Sequence, residues 1–276
     1  MDTLTRFRQA PISVDEIKLN FFAPVKKVTN KDRYKFKTKI YETDNFEIYI
    51  KGVRLTQIHR DILDIILFFG DTTLENKIKE NVPIRTFTLY KVLKMLEHKN
   101  PTKHIKWLKS KIDDLTNATI TIKEKNIGDE LSFHIIRVAK YSKKLESYFL
   151  VIEDLYLSFF ENKISINYKE LLPEILRLKN SVTKMTIRYL LTHSNGIKIN
   201  IDKLLEKIGV IGGTRNFEIQ RKKLLEELQE IKDIFNVELK KMSHDNRKKS
   251  DYTIIYNRHK DVKIYFPKTN TEHLWG

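Results

Sequence analysis

The chain has no cysteine in its 276 residues. That excludes a disulfide framework, a cysteine-based zinc finger and thiol chemistry. Glycine is scarce, with 8 in all, and neither phosphate-cradling pattern built on it is present. A P-loop needs G-x-x-x-x-G-K-[ST], but Gly213 is followed by Thr214 and Arg215. A dinucleotide fingerprint needs G-x-G-x-x-G after a strand, and "GVIGG" follows a helix-like segment instead. Long apolar runs are also missing. The longest, near "DILDIILFFGD", is too short to span a bilayer, and the opening "MDTLTRFRQAPISVDEIKLNFFAPVKK" lacks the apolar core of a signal peptide. The expectation is a soluble cytoplasmic protein with no membrane partner. The histidines at 59, 98, 104, 134, 193, 244, 259 and 273 form no H-x-H or HExxH pair. No metal site, catalytic residue or cofactor is therefore expected, and the chain reads as a binding protein rather than an enzyme.

What is present points to polyanions. Hydrophobic residues make up 41% and aromatics 11%, enough for packed cores. The formal net charge is +16, and a surface that basic attracts nucleic acid first and an anionic membrane second. A lysine-rich composition inherited from an AT-rich genome is the bland alternative.

The order of elements is more specific. Residues 1–45 read as an N-terminal arm with Pro11, Pro24 and the basic stretch "KKVTNKDRYKFKTK". "NFEIYIKGV" alternates like a strand. "LTQIHRDILDIILFFG" places Ile58, Ile62, Ile65, Ile66 and Phe69 on one helical face, with Thr56 as cap and Gly70 as stop. A helix from Thr88 to Leu96, the turn "EHKNP", a helix from Thr102 to Asn117 and the strand "ATITIKEK" follow. "LSFHIIRVAKY" reads as a second strand, and "SYFLVIEDLYLSFFE" as β-rich. Helix-turn-helix followed by a β-hairpin is the order of a winged helix.

The order then recurs. "SVTKMTIRYLLTHSNG" reads as a helix ended by Gly196, and "INIDKLLEKIGV" as a short helix capped by Asn200 or Asp202. "IGGT" is a turn, and a long helix runs from Arg215 to about Asp233. "FNVELKKMS" and "DYTIIYNR" read as strands joined by "HDNRKKS". The fold class is α+β: two tandem winged-helix domains, residues 46–163 and 164–268, with an arm before them and a C-terminal tail, 269–276.

Candidate DNA-binding residues follow from the helix faces. On the second long helix Phe217, Leu224, Leu225, Leu228, Ile231 and Phe235 form an apolar stripe. The opposite face carries Arg215, Ile219, Lys222 and Lys223, flanked by Asn216 and Gln220. Its first half is basic and its second holds Glu226, Glu227 and Glu230, the polarity of a helix that enters the major groove N-terminus first. Gly212 and Gly213 would permit the backbone turn that aims it. On the first long helix Lys103, Lys106, Trp107 and Ser110 face outward, with Trp107 suited to packing on the other domain or to the DNA sugar face. Seven lysines and one glutamate lie between Thr88 and Lys111, so this unit is expected to grip phosphate while the second reads bases. Arg247, Lys248 and Lys249 would tip a wing, or simply a solvated loop. In the arm, "KLNFF" is similar to the Q-L-x-L-F peptide that docks on the bacterial sliding clamp. Leu19, Phe21 and Phe22 match its apolar positions and Lys18 replaces its Gln; the alternative is an arm packed on the first domain.

"GVRLTQIHRDILDIILFF", "FTLYKVLKML", "SVTKMTIRYLL" and "NFEIQRKKLLEELQEI", in this order, resemble the plasmid replication initiators of the TrfA type over residues 46–260. The resemblance implies two winged helices that bind repeated origin sites (iterons) in double-stranded DNA. It also implies opening of nearby AT-rich DNA and contact with the host helicase, the host initiator and, in members whose arm carries the peptide, the sliding clamp. It further implies a monomer on DNA, with any dimer a repressed form, and no nuclease or ATPase activity. A dimeric winged-helix transcriptional regulator is the alternative with the same modules.

Overall fold

The computed structural model describes residues 12–25, 33–74, 83–161, 164–242 and 251–265. Arg247, Lys248 and Lys249, and the tail 269–276, lie outside the described residues.

The first unit is built on strands β2 (Arg33–Glu42) and β3 (Phe46–Val53), helix α2 (Gln57–Phe69), strands β4 (Asp71–Leu74) and β5 (Pro83–Thr88), and helix α3 (Leu89–Met95). A short 3-10 turn, Pro101–His104, leads into helix α4 (Ile105–Asn117). Proline at the first position starts a tight 3-10 turn, closed by Lys103 N on Asn100 O at 3.2 Å, so the α-helix begins three residues later than Thr102. Strands β6 (Thr119–Glu124), β7 (Glu130–His134), β8 (Ile136–Ser142) and β9 (Ser147–Ile152) follow. They divide between two antiparallel four-stranded sheets, β2-β3-β6-β7 and β4-β5-β9-β8. "LSFHIIRVAKY" is thus two strands broken at Ile135, whose fully buried side chain marks the crossing from one sheet to the other. "SYFLVIEDLYLSFFE" is β9 followed by a helix, α5 (Asp154–Glu161), with an acidic residue in its first turn.

The second unit has the simplest winged-helix layout. Helix α6 (Leu172–Arg177) precedes α7 (Ser181–Leu191); then come β11 (Ile197–Asn200), α8 (Ile201–Lys207), α9 (Arg215–Ile231), β12 (Val237–Met242) and β13 (Asp251–Tyr256). The sheet order is β11-β13-β12, all antiparallel. Asn200 caps α8 by accepting from Asp202 N at 2.8 Å. Helix α7 stops at Leu191 rather than at Gly196. The Thr192 hydroxyl and N–H both turn back onto Tyr189 O, at 2.7 and 3.1 Å, and close the last turn.

Much of the segment read as an arm is part of the fold. Strand β1 (Ile12–Ser13) pairs with β10 (Ser165–Asn167), which pairs with β14 (Lys263–Tyr265), so N-terminal, linking and C-terminal strands share one sheet. Helix α1 (Val14–Lys18), capped by Ser13, and the turn after it lie between the two units. Arg54 donates to Phe21 O and Asn20 O at 3.2 and 3.1 Å, and Gln57 to Phe22 O at 2.9 Å. Asn20 donates to Lys207 O at 2.9 Å. Leu19, Phe21 and Phe22 are buried, Phe21 completely. The docking-peptide reading of these three residues does not hold in this conformation. Their side chains are core, which satisfies the hydrophobic drive that made them look like anchors.

Candidate nucleic-acid interface

Helix α9 is aimed by the turn before it. Gly213 has φ +71° and Gly209 φ +83°, both in the left-handed region that glycine enters without penalty. Gly212 does not share that conformation. Thr214 then caps α9, accepting from Phe217 N at 3.1 Å. Phe217, Leu224 and Leu228 bury one face. Arg215, Ile219, Lys222 and Lys223 are exposed on the opposite face. Asn216 and Gln220 lie to one side, joined by a 3.3 Å hydrogen bond. They line an open groove with Tyr34, Ile40 and Ile211.

The acidic half of α9 has a structural part to play. Glu227 accepts from the backbone N–H groups of Lys179 and Asn180, at 2.7 and 3.3 Å, just before α7. Lys222 lies 3.8 Å from Glu226 and keeps 80% of its side-chain exposure, so it remains available to an anion. Arg221, which helical periodicity leaves unassigned, bonds Asp202 on α8 at 2.6 Å and lies over the Tyr252 ring. It ties the two helices and the sheet together.

The first unit presents fewer free cations than its composition suggests. Lys103, Lys106 and Ser110 are exposed. Lys91 donates to Phe69 O at 2.7 Å, Lys109 lies 3.7 Å from the Tyr141 ring centre, and Lys111 pairs with Asp114 at 2.7 Å. Trp107 is half-buried, edge-on to His98 at 5.1 Å and to His104 at 6.5 Å. These ring contacts lie within its own unit rather than on the other domain, and the three rings hold the turn between α3 and α4. Burial and the neighbouring His104 keep the His98 imidazole below its ordinary pKa.

His59 was not singled out by sequence, yet it positions α4. Thr56 N–H donates to its Nδ1 at 3.0 Å, so the ring proton sits on Nε2, which faces Asp114 Oδ2 at 3.2 Å. Burial holds the His59 pKa down against the pull of Asp114. Its position three residues after a threonine helix cap was the available signal.

The seam between the units holds a second set of residues that periodicity missed. Arg188 of α7 donates to Asp61 at 2.6 Å, to Asp64 at 2.8 Å and to Gln57 at 2.8 Å, all on α2. Charged residues inside the apolar helices "QIHRDILDIILFF" and "SVTKMTIRYLL" were the signal. Among the described residues no three His, Asp or Glu side chains cluster as metal ligands, and no helix is long and apolar enough to cross a membrane.

No family model and no curated protein matches the sequence. Solved structures do match. A selenomethionine crystal structure of domains 2 and 3 of RctB is 12% identical with a TM-score of 0.59, covering 90% of this chain and 100% of that one. A second crystal structure of RctB domains 2-3 is 13% identical with a TM-score of 0.54, covering 88% and 96%. The crystal structure of Pi initiator protein in complex with iteron DNA is 16% identical, covers 73% and 90%, and has a TM-score of 0.49. The chain shares the fold of RctB domains 2 and 3, in the α+β architecture of tandem winged helices that its element order predicts.

Proposed function

We propose that this protein is a sequence-specific double-stranded-DNA-binding initiator of plasmid replication that acts at repeated origin sites. The observation that carries the reading is the exposed face of α9. Arg215, Ile219, Lys222 and Lys223 stand on a helix that a helix-turn-helix presents N-terminus outward. Arginine at the tip suits a guanine edge and Ile219 a thymine methyl, while the lysines suit phosphate. Lys103 and Lys106 give the first unit a phosphate-gripping face.

Two such faces in one chain favour the initiator over the dimeric regulator. A regulator draws its two helices from two chains and reads a palindrome, whereas one chain with two units covers a non-palindromic site of about two helical turns. Binding energy at successive repeats would offset the cost of distorting the adjacent duplex. The protein would break no covalent bond; helicase recruitment would follow from opening the AT-rich DNA.

The test is the mass of the complex on a duplex carrying one repeat from the DNA beside the gene. One chain per repeat, with competition by random DNA at least a hundredfold weaker (about 2.7 kcal/mol), is the expected result. Two chains bound symmetrically to a palindrome would replace the initiator with the regulator.

A further inference from the structure

We propose that the buried ion network at the seam fixes the angle between the two winged helices, and through it the spacing of the two DNA segments they engage together. The second half of this statement rests on the DNA-binding reading above; the first does not.

The network joins the parts whose arrangement matters. Helix α1 supplies Glu16, α2 supplies Arg60, Asp61 and Asp64, and α7 supplies Lys184 and Arg188. Three cations face three anions. The first unit and α1 carry a net −2 into the seam, the second unit +2, so each compensates the other. Glu16, Arg60, Asp61, Asp64 and Arg188 are each at most 2% exposed. Lys184 closes the rim, 2.5 Å from Asp61. Tyrosines on both sides of the unit boundary complete it: Tyr156 bonds Glu16 at 2.7 Å, and Tyr168 bonds Asp64 at 2.8 Å.

Such a seam differs physically from an apolar one. Hydrophobic burial is not directional, so an apolar seam sets orientation only through the fit of its side chains. Arg188 is directional. Its planar fork meets Asp61, Asp64, Gln57 and Tyr168 at once. Rotating α7 against α2 would pull these apart where water cannot replace them, leaving buried charges unpaired. One relative orientation is therefore selected. DNA punishes any error in it, since one base pair changes the separation of two sites by about 3.4 Å and their phase by roughly 35°.

The experiment has two arms, both on the full chain. Because the chain has no cysteine, Leu145→Cys and Lys203→Cys introduce the only two thiols, at exposed positions in the first and second units. Spin labels there report the inter-unit distance by pulsed electron resonance without DNA. The native seam should give one narrow distance, and Arg188→Lys, which keeps the charge and loses the fork, a broad one. In the second arm, duplexes selected by the wild-type chain from a random pool are rebuilt with one base pair inserted at the centre. Wild type should lose about tenfold in affinity and Arg188→Lys only about twofold. If Arg188→Lys does not fold by circular dichroism, Asp61→Asn takes its place and should broaden the distance in the same direction. A broad distance in the wild type, or equal widths and equal spacer penalties in wild type and variant, would overturn the proposal. A narrow distance that broadens in the variant, with no duplex recovered from the pool, would uphold the orientation role and remove the DNA-binding reading instead.

Discussion

Arg221 Nε on α9 lies 2.6 Å from Asp202 Oδ1 on α8, with the guanidinium 5.9 Å from the centre of the Tyr252 ring. One side chain thereby connects the two helices of the helix-turn-helix and the sheet behind them. Asp202 is 44% exposed, so the pair itself adds only about 0.5–1 kcal/mol to stability. Its larger effect should be on aim. Arg221→Ala is expected to shift a urea midpoint slightly and to weaken cognate DNA binding by about tenfold, with Arg221→Lys in between. Unchanged affinity in the alanine variant would show that α9 is held without it.

The two helix faces should behave differently on mutation. Arg215→Ala should lose about 1–3 kcal/mol on the cognate duplex and relax base preference at one position. Lys106→Ala should weaken cognate and random duplexes alike. Titration of both variants against both duplexes decides it: equal losses everywhere would mean that α9 does not read bases.

The stripe of Phe217, Leu224 and Leu228 was legible because a 3.6-residue period needs only local spacing to be seen. The cap at Thr56, and the one at Asn200 with Asp202 as its alternative, were legible from an equally local signal, a capping residue type just before an apolar run. Trp107 was not, because its position on α4 does not reveal that His98 folds back over it from the preceding turn. The burial of Phe21 and Phe22 was legible only as the alternative to a docking peptide, an arm packed on the first domain, where Phe21 meets Phe133 and Phe22 meets Arg60. The pairing of Arg188 with Asp61 spans 127 residues, and no local pattern encodes a partner at that distance. Only the oddity of a charge inside an apolar helix hinted at it.

Stability should depend on pH through His59. Its folded pKa is depressed below the ordinary value of 6.5, so the fold favours the neutral ring, whose Nδ1 accepts from Thr56 N–H. Stabilisation from this site is full above about pH 6.5 and is lost as pH falls below it, where the unfolded chain takes up a proton that the folded chain resists. Burial holds down the His98 and His193 pKa values with the same sign. Urea unfolding from pH 8 to pH 5.5 should show a falling midpoint, with a shallower fall for His59→Gln. A variant slope as steep as that of wild type would remove His59 as the cause.

Binding should also weaken steeply with salt. Six to ten phosphate contacts from the two basic faces give a log–log slope of roughly −5 to −9. Binding measured between low and physiological salt checks this directly. A slope near zero would mean that the +16 charge serves something other than nucleic acid.

The glycine pair before α9 separates into one residue that the turn requires and one that it does not. Gly213 is held at φ +71° with nothing within 4 Å of where a Cβ would stand, so only its backbone angle resists substitution. Gly212 has no such angle, and an added Cβ would meet only Glu206 Oε1 at 3.2 Å, the far end of a flexible side chain. Gly212→Ala should therefore fold and bind like wild type. Gly213→Val should cost roughly 1–2 kcal/mol or more in the left-handed region and relieve that strain by rewinding the turn. Thr214 would then leave its cap on Phe217, and α9 would lose its aim. Gly213→Asn, which tolerates the left-handed angle, should recover most of the binding. Cognate affinity and circular dichroism of the three variants make the test. If Gly213→Val binds as tightly as wild type while Gly212→Ala does not, the turn is set by Gly212 and the left-handed angle at Gly213 has no part in presenting the helix.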